Sequence, residues 1–405
     1  MPQGSILARA GLALALAGAL GWAAAASPQA GASRAGAPKA VPPELPAETL
    51  ASGGSLAGVT SERIYVADVM IANIADGRLR VFDARAGKLL GMVNTGFAGN
   101  FALSARSDEI YVATTYLSRG GRGDRVDVLE VWDAQTLGFK YEVLLPPKRA
   151  QALNYRGLVS VTANGRFVLV QNATPATSIT VVDLAEKKVA TEVMTPGCWG
   201  SLPAAGHPAR FAMLCGDGKV ATVTLTEQGQ VADRQLSDKL FDADQDAWFH
   251  TAERIGDRFF FLSFKGMLTE LDLAGAVARQ VAQKSIVNAA QARQGWRPGG
   301  YQAFAVHPGG KWAVVSMHDQ GREGSHKVPA KQLWTIDLDS GRRVATAPGL
   351  GTASLTFSKS GKRLQALDGM TAALRVWDWS DSGKLKLVST VKPAGMASLQ
   401  LESHD

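Results

Sequence analysis

Cys198 and Cys215 are the only two cysteines in the 405-residue chain, and they bracket the stretch "GCWGSLPAAGHPARFAMLCGDG" (197–218). Such a pair could be a redox couple, half of a metal site or a structural cross-link. A reactive thiol needs basic neighbours or a helix N-terminus to favour its thiolate. Cys215 instead ends the apolar run "RFAMLC", and Cys198 follows the turn "TPG". In an oxidising compartment an isolated pair of this kind is joined. Its spacing closes a loop of about 15–20 residues, for which chain entropy gives roughly 3 kcal/mol. The expectation is a structural disulfide between neighbouring strands or loops, a staple between two consecutive repeats.

Other chemistry is thin. The six histidines (His207, His250, His307, His318, His326 and His404) are dispersed along the chain. His318, Asp319, Glu323 and His326 share "MHDQGREGSHKVPA" (317–330). Nothing fixes their spacing on a rigid element, so a solvated loop is expected in place of a metal site. The sequence has no Cys-x-x-Cys-His for haem attachment, no phosphate loop and no Gly-x-Ser-x-Gly elbow. Arg-Gly-Asp within "GGRGDRVD" (120–127) reads as a charged turn.

The compartment is written at the N-terminus. Residues 1–9 carry a single arginine, and "AGLALALAGALGWAAAA" (10–26) is apolar and uncharged. That layout, ending in small residues, predicts a signal peptide over 1–26 and export to the periplasm. No other stretch is apolar enough to span a bilayer. Residues 27–47, rich in Ala, Gly, Ser and Pro, predict a flexible arm. Folded structure is expected over 48–405. The net charge is +7, with Lys and Arg scattered and no aromatic-basic stripe, so neither nucleic acid nor a membrane is an expected partner.

The elements come from an internal repeat. "LRVFDARAGKLLG" (79–91), "LEVWDAQTLGFKY" (129–141) and "ITVVDLAEKKVAT" (179–191) place Asp83, Asp133 and Asp183 at intervals of 50 residues. Looser copies follow around Leu225, Asp272, "LWTIDLDSG" (333–341) and "LRVWDWSDSG" (374–383). Each unit alternates apolar and polar residues, is rich in β-branched and aromatic types, and breaks at Asp and Gly turns. A unit of four strands cannot bury both of its faces alone, but a ring of them can. The expectation is an all-β, seven-bladed β-propeller, with "ASLQLE" (397–402) completing the first blade. The repeated "VWD" reads as the grammar of a blade, not as a site.

Several longer stretches carry a resemblance. "GKLLGMVNTGFAGN" (87–100), "DVLEVWDAQTLGF" (127–139), "LPPKRAQALNY" (145–155), "QNATPATSITVVD" (171–183), "GCW…CGDG" (197–218), "WRPGGY" (296–301) and "HDQGREGSHKVPA" (318–330) are long and idiosyncratic. Through them the chain resembles the heavy subunit of the quinoprotein amine dehydrogenases. It is most similar to the aromatic amine (aralkylamine) dehydrogenase branch, with the methylamine dehydrogenase heavy chain as a relative.

The resemblance implies a periplasmic assembly of two heavy and two light chains that deaminates primary amines to aldehyde and ammonia. Tryptophan tryptophylquinone belongs to the light chain, and electrons leave to a copper protein such as azurin or amicyanin. This chain would then hold no cofactor, metal or catalytic residue of its own. "NTGFAGN" (94–100) matches the segment that carries a heavy-chain phenylalanine of the substrate channel, which points to Phe97. The Cys198–Cys215 pair matches the family's heavy-chain disulfide, and 318–330 is a candidate light-chain contact.

Two other classes compete. One is a stand-alone exported propeller that binds partners through its loops without enzymatic activity. The other is a propeller enzyme with its own pyrroloquinoline quinone or haem.

Overall fold

Among the described residues seven apolar clusters organise the fold, six between two consecutive sheets and one between the two halves of the largest sheet. Val168 and Val170 point into one cluster, while Phe167 and Leu169 of the same strand point into the next. Strands buried on both faces read as continuous apolar runs, and so Phe167–Asn172 and Arg63–Asp68 are buried throughout. This corrects the simple apolar–polar alternation expected from sequence. Alternation gives way wherever both faces of a strand meet another sheet. Each Val or Leu buried this way contributes about 1.5–3 kcal/mol.

The computed structural model describes residues 54–56, 62–151, 154–391 and 393–404. The expected signal peptide and arm (1–26 and 27–47) lie outside the described residues. The described chain is all-β with a few short helical turns, arranged as propeller-like antiparallel sheets of about four strands. The strand Lys88–Leu103 serves two of them, pairing Gly77–Asp83 through its first half and Glu109–Leu117 through its second. Ser398–Ser403 pairs with Arg63–Asp68, so the last described strand completes the sheet that the first described strand starts. The cluster around Ile64, Leu367, Leu374 and Leu401 then joins the last sheet to the first.

The recurring aspartates close the turns. The carboxylate of Asp83 accepts the N–H groups of Arg85 and Ala86, Asp133 those of Gln135 and Thr136, and Asp183 those of Ala185 and Glu186. A short acidic side chain is suited to this bond with the turn that follows it. The outermost strands, such as Val231–Leu236 and Arg279–Ser285, are largely exposed and carry charged or polar residues that blunt a free edge.

One strand of each sheet is innermost, and these strands lie side by side. Bonds between their leading segments run from sheet to sheet. Asn154 donates to Gly99 O, and Ser201 N–H donates to Gly157 O at 2.8 Å. Thr251 Oγ1 donates to Tyr301 O at 3.1 Å, Tyr301 N–H to Ala353 O at 2.6 Å, and Ser354 Oγ to Leu399 O at 2.6 Å. Gln302 and Ser354 form a parallel bridge. The segments that lead into the innermost strands therefore gather at one mouth of the central axis.

Candidate functional site

Phe97 stands at this mouth, at the point where Lys88–Leu103 passes from one sheet to the next. The passage needs a backbone irregularity, and the register shifts between Phe97 and Asn100. Gly96 and Ala98 both adopt positive φ, 53° and 47°. The strain at Ala98 is held by a buried guanidinium. Arg149 is 3 % exposed; it donates to Phe97 O at 2.8 Å and to Ala98 O at 2.9 Å.

Arg149 is itself fixed. It donates to Thr115 Oγ1 at 2.9 Å, and its own N–H reaches Asp127, which accepts two bonds from Arg125. Burial pulls the Arg149 guanidinium down to about 10, against the opposing pull of Asp127, so it stays charged at neutral pH. The Phe97 ring is half-buried and belongs to none of the apolar clusters among the described residues. A rigid backbone thus presents an aromatic side chain that the core does not use.

Across the mouth, three other leading segments bring Tyr155, His250 and Tyr301 together. Tyr155 meets His250 edge-on with ring centres 4.0 Å apart, and stacks loosely on Tyr301 at 6.1 Å. Burial pushes the His250 imidazole down to about 4, with the charge of Lys327 acting in the same direction. It is therefore neutral at pH 7. These rings floor a cavity of about 560 Å³, whose rim is built by the helix Ala243–Asp246, by Phe264 and Lys265, and by Glu323, Gly324, His326 and Lys327.

Beneath the mouth, Arg156 occupies the axis. It pairs with Glu253 and with Glu402 at 2.7 Å, and donates to Thr356 Oγ1 and Leu401 O at 3.0 Å each. One side chain thereby ties four sheets.

Cys198 and Cys215 are joined, with Cα atoms 3.9 Å apart. They are direct cross-strand partners in Cys198–Pro203 and Arg210–Cys215, two adjacent strands of one sheet. The bond is thus a staple within a sheet and not between two repeats, because Cys198 opens the sheet that Cys215 continues. The segment 318–330 is also less uniform than a solvated loop. His318 is buried at the end of the strand Trp312–His318, while Glu323, His326 and Lys327 are exposed at the cavity rim. Among the described residues no group of three or more His, Cys, Asp or Glu side chains could hold a metal ion. No helix among them is long and apolar enough to cross a membrane. The turn 118–124 closes on itself, with Asp124 N–H donating to Ser118 Oγ at 3.0 Å.

Sequence reasoning missed Arg149, Thr115, Asp127, Arg156 and the ring trio. Each was an unremarkable polar or aromatic residue until the sheets brought distant segments together. Several lie in or beside the stretches that carry the resemblance: Asp127 opens "DVLEVWDAQTLGF", Arg149 and Tyr155 lie in "LPPKRAQALNY" with Arg156 just after it, and Tyr301 ends "WRPGGY".

The profile of the family described as "Methylamine dehydrogenase heavy chain (MADH)" matches residues 60–390. The methylamine dehydrogenase heavy chain of Methylophilus methylotrophus is 25% identical over 286 residues, covering 70% of this chain and 69% of that protein. The one from Paracoccus versutus is 26% identical over 339 residues, covering 80% and 75%. Among solved structures, the Pseudomonas aeruginosa periplasmic gluconolactonase superposes with a TM-score of 0.57 at 16% identity, covering 85% of this chain and 99% of that one. A putative 6-phosphogluconolactonase from Bacteroides fragilis gives 0.59 at 12% identity, covering 88% and 100%. At such identities the structural likeness speaks for the fold alone.

Proposed function

The chain belongs to the methylamine dehydrogenase heavy chain family, and from that premise we propose that it is the heavy subunit of a primary-amine dehydrogenase. The observation that carries the proposal is the family match over 60–390. We read the fold as a seven-bladed propeller: the sheet that shares Lys88–Leu103 divides into two blades, and the other five sheets supply one each.

In this reading the mouth of the propeller faces a separate light chain. Loops of the first and last sheets leave Ile71, Met370 and Met396 on that side 60%, 80% and 66% exposed, an apolar surface suited to a protein partner. The tryptophan tryptophylquinone of the light chain would supply the oxidation of the amine, with a copper protein of the azurin or amicyanin kind taking the electrons. This chain's own part is to bind, shape and exclude water. Phe97 walls the channel for the organic group of the amine, and Arg149 holds Phe97 in place. The substrates are primary amines, aromatic ones included, and the assembly, two heavy chains with two light chains, works in the periplasm.

The test is isolation of the native protein from the periplasm. The expected result is a small chain with quinone absorbance eluting in equal amount with this one. Recovery of this chain alone, with no such partner, would overturn the reading in favour of a stand-alone propeller.

A further inference from the structure

The cavity beside the axis has a chemistry of its own. Its floor is aromatic, with Tyr155, Trp248 and Tyr301 among its walls, and its volume of about 560 Å³ suits a small organic molecule. Its rim carries three carboxylates (Asp244, Asp246 and Glu323) against two ammonium groups (Lys265 and Lys327). Asp246 is engaged by Ser263 and by the Lys265 N–H, whereas Asp244 and Glu323 are exposed on the rim. One cation already uses the floor. Lys327 Nζ stands 5.3 Å from the centre of the Tyr301 ring.

That contact shows what the floor attracts. The face of a phenol ring is negative and attracts a cation placed over it, more strongly where water is excluded. An anion would meet three carboxylates against two ammonium groups on the rim, and on the floor only the negative faces of the rings. A neutral molecule would use the walls but not the charge. We propose that this cavity binds a primary organic ammonium ion, its organic part against Tyr155 and Tyr301 and its ammonium in the position over Tyr301 that Lys327 now fills. Lys327 is then a tethered competitor that tunes affinity. The preference for an organic cation stands on the cavity; its identification as a primary amine rests on the functional reading above.

The experiment uses the full chain without a light chain and titrates it calorimetrically with 2-phenylethylammonium, with uncharged 2-phenylethanol as the control. Lys327→Met removes an exposed competing cation and should tighten ammonium binding by about threefold or more, while Tyr301→Leu should weaken it by about fivefold. Because Lys327 is on the surface, its variant keeps the test valid even where Tyr301→Leu does not fold. Equal affinity for the alcohol and the ammonium ion, no binding of either, or no response to Lys327→Met would overturn the proposal. Amine oxidation by the complex is measured separately. Binding without oxidation would sink the dehydrogenase reading and leave this site standing, and oxidation without binding would do the reverse.

Discussion

The Nε atom of Arg156 lies 2.7 Å from Oε1 of Glu402, although 246 residues separate them in the chain. The pair links the approach to one early sheet with the last described strand, Ser398–Ser403. Glu253, Thr356 and Leu401 complete the set of acceptors. Burial opposes the charge on Arg156, but the carboxylates of Glu402 and Glu253 outweigh it and hold the guanidinium firmly protonated. Arg156→Met should cost about 3–5 kcal/mol, the range for breaking a buried pair and stranding its partners. Chemical denaturation of the purified chain measures this; a loss below 1 kcal/mol would mean that the axis is held by packing alone.

A second lock joins the ends. The carboxylate of Asp68 accepts from Met396 N–H at 2.7 Å and from Ala397 N–H at 2.9 Å, and also pairs with Arg80. Burial pushes this carboxyl up, but the backbone donors and the guanidinium prevail and hold it below the usual aspartate value. A depressed folded value means the stabilisation is present above the unfolded pKa of about 4 and is lost as pH falls through the folded value. Asp68→Asn should therefore lower stability at pH 7 and flatten the acid limb of a stability–pH curve. Parallel wild-type and variant curves across pH 2–6 (about the span in which aspartates titrate) would contradict that role.

The disulfide makes a different kind of contribution. It closes a loop with a sequence separation of 17, for which chain entropy gives roughly 3 kcal/mol. The Cys198→Ser, Cys215→Ser double variant should melt at a lower temperature, while the assembled complex keeps its rate of amine oxidation. A variant of undiminished stability whose oxidation rate collapses would mark the pair as a redox element instead.

In the proposed reading Phe97 is a wall of the channel, and Arg149 holds its backbone. In the assembled enzyme, Phe97→Ala should change the ratio of kcat/KM for 2-phenylethylamine to that for methylamine by about tenfold, as expected when one pocket contact is lost. Arg149→Lys keeps a charge but cannot reach Phe97 O, Ala98 O and Thr115 together, so it should shift the same ratio in the same direction. If both variants oxidise both amines as the wild type does, Phe97 is simply a loop residue.

Much of this architecture is legible in the chain because repetition amplifies weak signals. A single Asp turn says little, but Asp83, Asp133 and Asp183 in register define a unit, and "ASLQLE" reads as its missing strand. The cross-link could be read from two cysteines, yet its place within one sheet could not. The unit boundary falls just before Cys198, and no residue type marks it. Of the candidate site, sequence singled out only Phe97 and the segment 318–330, both through family likeness. Arg149 and Arg156 act over long sequence separations, and no local pattern encodes which acceptors a buried guanidinium will find. The cavity is the extreme case, since its walls come from at least four separated segments.

The most direct measurement is amine-dependent reduction of a copper protein or a redox dye by this chain, first alone and then as the co-purified complex with its light chain. The functional reading requires turnover of a primary amine by the complex and none by this chain alone. Amine oxidation by the isolated chain, or a complex that oxidises no primary amine, would contradict it.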